Sequence, residues 1–170
     1  MHQFVIALRE SVDTKNWHGA LALALFMPDV CGRLQSPNAG SQTRYVEWFK
    51  NWVQPKYTVQ SRWMPTETVF LSGEDCYALR CSYLHEGGDE IAHQRAKVAL
   101  DRFHFITPPP GGMIHMNKSN TVLQLQVDIF CLDVAAAVEA WMESIGSDQE
   151  VGQRLSLLMK IHDSNRGVSF

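Results

Sequence analysis

Arg80 and His85, five residues apart, are the two side chains of this chain best suited to do chemistry together. They lie in Leu79-Arg80-Cys81-Ser82-Tyr83-Leu84-His85, near the C-terminal end of what reads as a buried helix. Arginine cannot give up its charge, and histidine changes charge near neutral pH. One group can clamp a phosphate while the other moves a proton, which is enough to break a phosphodiester without a metal. The same two residues also suit a structural task. Arg80 can pair with Glu74, Asp75 or an acid from another helix, and a histidine at a helix C-terminus faces the negative end of the dipole. An Arg-x4-His spacing is a short signal, so its context must decide.

The element that carries the pair reads as a helix from Glu74 to His85, ended by Gly87-Gly88. Three helices should precede it. The first covers Gln3 to Val12. The second runs from about Lys15 to Leu34, capped by Asp13 or Thr14 and apolar nearly all round, as suits the centre of a bundle. Pro28 should kink or split it, because proline removes a backbone donor and clashes with the preceding turn. Ser36 to Gly40 is a break. Ser41 should cap a third helix through Tyr45, Trp48, Phe49 and Trp52, stopped by Pro55, with a partly extended loop over 56–65.

The pattern then changes. Arg102 to Thr107 and Val122 to Val127 alternate as half-buried strands do, with a candidate short strand at Ile114 to Met116 and a turn at Asn117 to Asn120. An antiparallel meander follows over about 102–127, with His104 and His115 as candidate cross-strand neighbours. The pattern is helical again over about 129–162, the last helix running from Gln149 to Ile161. The expected fold class is therefore mainly α: one domain over 1–170, a helical bundle over about 3–86 with a small inserted antiparallel sheet.

Composition narrows the possibilities. Content of 45% hydrophobic and 19% charged residues is that of a globular chain. The start, Met1-His2-Gln3 followed by Arg9, Glu10 and Asp13, is unlike a signal peptide, and the longest apolar run is too short to span a bilayer. A cytoplasmic protein is expected. Cys31, Cys76, Cys81 and Cys131 are scattered, which predicts reduced and mostly buried thiols. No metal site or cofactor is expected; Glu86, Asp89, Glu90 and His93 read as a solvated helix end. Residues 1–66 hold seven Lys and Arg against four Asp and Glu, while residues 67–170 hold eight against fourteen. The first part mixes Arg33, Arg44, Lys50, Lys56 and Arg62 with six aromatics between Tyr45 and Trp63, a combination able to hold single-stranded nucleic acid. A solvated basic face opposite a face of buried aromatics is the stronger explanation. With a pI of about 6.1, any nucleic-acid partner must be met at a local pocket.

The run from Gly73 to Gly87, with Tyr77-Ala78-Leu79 before Arg80, small residues after it and glycine beyond His85, resembles the signature helix of the HEPN superfamily. These are helical-bundle proteins, often ribonucleases of toxin or defence systems, with an Arg-x4–6-His motif. The resemblance covers residues 70–90 and implies that Arg80 and His85 form the active-site pair of a metal-independent endoribonuclease. Cys81 stands where active members often carry Asn or Asp. Cys81, Ser82, Tyr83 and Glu86 would support the site, RNA or a nucleotide would be the ligand, and any antitoxin stays unidentified. Helical residues five apart diverge by about 140°. Two helices packed antiparallel in a homodimer would bring Arg80 of one copy to His85 of the other, and the resemblance implies that arrangement. Two rival functions remain: a non-catalytic nucleotide- or RNA-binding or dimerisation module whose Arg-His pair is structural, and a small-molecule binder built on the aromatics of 45–63.

Overall fold

The computed structural model describes residues 1–60 and 66–167. The chain is mainly helical, with helices α1 (His2–Asp13), α2 (Trp17–Gln35), α3 (Ser41–Trp52) and α4 (Gly73–Glu86) in its first half. Helices α5 (Val127–Ile145) and α6 (Gln149–Ser156) close the chain. Helix α2 touches α1, α3, α4, α5 and α6, as its nearly continuous apolar surface requires. It runs unbroken through Pro28, whose buried position among packed helices offsets the lost backbone donor. Its cap is Asn16, whose side-chain oxygen accepts from the Gly19 amide at 3.2 Å, rather than Asp13 or Thr14. Gly40 takes the cap position of α3, and the Ser41 hydroxyl turns instead to the Tyr77 hydroxyl at 3.2 Å.

The aromatics of α3 and the segment after it are core. Tyr45, Trp48, Phe49 and Tyr57 are fully buried, and Trp48 meets Trp141 of α5 edge to face at 6.3 Å. They are walls of the bundle, not a ligand slot; Arg62 and Trp63 lie outside the described residues. Strands β1 (Thr58–Gln60) and β2 (Glu67–Val69) pair antiparallel beside them. Arg9 grips Glu139 with both Nε and Nη2, at 3.2 and 2.7 Å, and ties α1 to α5.

The expected meander is corrected. Strands β3 (Arg102–Ile106), β4 (Asn117–Ser119) and β5 (Val122–Gln126) form a sheet of order β3-β5-β4, in which β3 and β5 are parallel. Only β4 is antiparallel to β5, and it occupies the segment expected to be a turn. The cause is the connection after β3. Rather than making a tight hairpin of a few residues, the Pro- and Gly-rich loop crosses the end of β5 before β4 returns on its far side. Two hydrogen bonds hold the crossing: the Ile114 amide donates to Gln126 Oε1 at 3.2 Å, and the Gln126 amide to His115 Nδ1 at 3.2 Å. His104 faces Gln124 from the opposite edge, so the central strand separates the two histidines. Alternation still fixes the buried face: Phe103 and Phe105 lie in register with Leu123 and Leu125. Helix α6 stops at Ser156, short of the predicted Ile161, because beyond it Leu157, Met159 and Ile161 point to solvent.

Candidate functional site

Local chemistry sets the position of α4. The Ser72 hydroxyl accepts from the Asp75 amide at 3.0 Å, the arrangement expected of a cap followed by an acid three residues on. Asp75 is buried, and its carboxylate also takes the amides of Val98, Ala99 and Leu100, with 2.8 Å for the shortest. One side chain thus fastens the helix start to the chain that leads into β3. Gly73 lies against the Val46 carbonyl so closely that a Cβ there would stand 2.8 Å from it, so α4 and α3 touch backbone to backbone. At the far end Gly87, at φ +70°, turns the chain in the left-handed conformation that glycine adopts without strain.

On this helix Arg80 is held on two sides. Its Nε donates to Asp29 Oδ2 of α2 at 2.7 Å, with the two side chains 23% and 12% exposed. Its Nη1 lies 3.2 Å from Nε2 of His85 in the same chain. The expectation that the two diverge, and therefore need a second copy to meet, is corrected. The Cα directions do diverge, but the long arginine side chain swings along the helix and closes the gap. Arginine has only donors, so in a hydrogen bond between these two atoms Nε2 is the acceptor. Burial disfavours the Arg80 charge, but Asp29 and the Cys81 side chain outweigh it and hold the guanidinium above its ordinary value. The result is a cation fixed by Asp29 and in contact with an exposed imidazole.

The supporting residues divide differently. Cys81 is half-buried beside Arg80. Ser82 is fully buried and donates to the Glu90 carbonyl at 2.8 Å, so it fastens the loop after α4. The Tyr83 hydroxyl pairs with His18 Nδ1 at 2.7 Å, and the two rings lie parallel with centroids 6.3 Å apart. Burial, then Cys131, pushes that phenol up. Glu86 reaches His93 at 3.3 Å, while Glu90 pairs with Arg102 across the loop. Among the described residues no group of three or more His, Cys, Asp or Glu side chains is placed to hold a metal ion.

Sequence reasoning named an acid from another helix as a partner for Arg80 without identifying it. Asp29 carried the signal: a lone carboxylate within an apolar helix must find a cation when that helix is buried. Asp29 and Arg80 also line a groove of about 340 Å³ between α2, α3 and α4, which Arg33 and Arg44 share. Comparison with protein-family models, curated proteins and solved structures finds no match. Among the described residues no helix is long and apolar enough to cross a membrane.

Proposed function

We propose that the protein is a HEPN-like, metal-independent endoribonuclease whose reacting pair is Arg80 and His85. The observation that carries this reading is their contact at 3.2 Å, with His85 exposed beside a cation that Asp29 fixes. A phosphodiester placed against Arg80 takes the guanidinium as counter-charge for its nonbridging oxygens and frees Nε2. His85 then removes the proton of the ribose 2′-hydroxyl. The 2′-oxygen bonds to phosphorus, the bond to the 5′-oxygen breaks, and a proton returns to that oxygen. The products are a 2′,3′-cyclic phosphate and a 5′-hydroxyl. Asp29 is a positioning residue: it acts on the substrate only through Arg80. A second copy of the chain remains part of the proposal through the HEPN resemblance, not through geometry.

One observation favours the rival reading. The Arg80–Asp29 pair is largely buried, the environment of an arginine that ties helices together, which suits a non-catalytic RNA- or nucleotide-binding module. End-group analysis separates the two. An all-ribose oligonucleotide in EDTA should yield cyclic-phosphate ends, and a 2′-deoxy residue at the cleaved position should block the cut. Cleavage of the deoxy-substituted strand at the same bond would exclude this mechanism.

A further inference from the structure

The groove beside Arg80 holds three arginines, Arg33, Arg44 and Arg80, against one carboxylate, Asp29. That carboxylate is committed to Arg80. Neither Arg33 nor Arg44 makes an ion pair among the described residues. Each spends one donor on a carbonyl of the turn between α2 and α3, Arg33 on Pro37 and Arg44 on Ala39 at 3.3 Å. A guanidinium carries five donors, so most of both forks stays available. Among the described residues the Nε of Arg44 is buried with no partner, an arrangement that costs free energy. Gly32 brings the backbones together here: a Cβ at Gly32 would stand 2.5 Å from the Arg44 carbonyl, so the close approach that shapes the groove requires glycine. On the α2 side the ring of Phe26, 37% exposed, forms part of the wall.

We propose that this groove is a second phosphate subsite, in which Arg33 and Arg44 bind the phosphate next to the one at Arg80. It rests on the reading of Arg80 and His85 as an RNA site and extends it to the strand. Paired guanidiniums match the oxygens of a phosphate. An exposed aromatic ring within the same groove gives a base a face to stack on, the combination found where single strands are bound. The net charge of the whole chain is −3, so the attraction is local to this groove rather than a property of the surface.

The test is binding of a fluorescent single-stranded RNA decamer to the full chain carrying His85→Ala, which removes the proposed base and keeps the strand intact. Arg33→Glu and, separately, Arg44→Lys are added, with circular dichroism confirming the fold. Arg33 is exposed, and Arg44→Lys keeps the charge while losing the fork, so both variants are expected to fold. Affinity should fall at least tenfold for Arg33→Glu and severalfold for Arg44→Lys. For Arg33→Glu the plot of log affinity against log salt should become shallower by about 0.7, as expected when one phosphate of a single strand is no longer neutralised. Unchanged affinity and slope in both variants would overturn the subsite. Inorganic pyrophosphate and a nucleoside triphosphate are run as competitors. Displacement of the decamer only at far higher concentrations supports a strand site, whereas tight binding of either in place of RNA overturns it. The two readings fail separately: wild type that binds through Arg33 and Arg44 without cutting keeps the subsite and removes the nuclease. Wild type that cuts with a KM indifferent to Arg33→Glu does the reverse.

Discussion

At the scale of single residues, the proposed chemistry depends on how Arg80 is held. Asp29→Asn keeps the size and removes the counter-charge, so the guanidinium is no longer fixed beside His85. Cleavage should fall roughly tenfold or more, a moderate loss because the reacting pair remains. The Arg80–Asp29 pair is largely buried, so leaving the guanidinium without its counter-charge should also lower stability, by about 2 kcal/mol in a urea titration. Asp75 presents the opposite balance. Its buried carboxylate serves three backbone amides far from the reacting groups, so Asp75→Ala should cost about 2 kcal/mol or more of stability. His115 gives a pH signature. Burial holds its imidazole below the ordinary value, with Asp133 and Asp128 opposing only in part. In the unfolded chain the ring titrates near about 6.5. On acidification the unfolded chain therefore takes the proton first, and stability contributed above that pH is lost as pH falls. Urea midpoints at pH 7.5 and 5.5 should differ less in His115→Asn than in wild type; parallel shifts would show that the ring plays no part.

At the scale of elements, the helices were legible from their apolar patterns and breaks, although the caps of α2 and α3 and the end of α6 fell elsewhere than expected. Helix α4 was readable from its glycine stop, and α2 from an apolar surface that only a central position satisfies. What escaped depends on partners distant in sequence. Nothing local distinguishes a parallel β3–β5 pair from a meander, since alternation fixes which face is buried and not which strand lies alongside. The meeting of Arg80 with His85 escaped because a helical wheel places Cα directions and ignores the reach of a long side chain. Asp29 escaped as a named partner because 51 residues separate it from Arg80. Gly32→Ala tests the close approach of α2 and α3. With 2.5 Å between the added methyl and a backbone oxygen, the helices must part, and a loss of about 2 kcal/mol is expected in thermal or urea unfolding. An unchanged midpoint would mean the two backbones can yield.

At the scale of the whole molecule, one core joins the bundle to the sheet, and the free thiols report on it. Cys31 is buried, and burial pushes the Cys76 and Cys131 thiols up to about 12. Cys81 is half-buried beside Arg80. Iodoacetamide at pH 8 should therefore modify Cys81 well before the other three, and the adduct should block the site; equal labelling of all four would mean the core opens readily. One assay bears most directly on the proposed cleavage. Purified wild type, Arg80→Ala and His85→Ala are incubated with single-stranded RNA in EDTA, with thermal unfolding measured on the same samples. Wild type should cleave, and each variant should lose roughly 100-fold or more while His85→Ala unfolds as wild type does. Equal inertness of all three proteins, with Arg80→Ala alone unfolding earlier, would contradict the nuclease and leave Arg80 as the residue that ties α4 to α2.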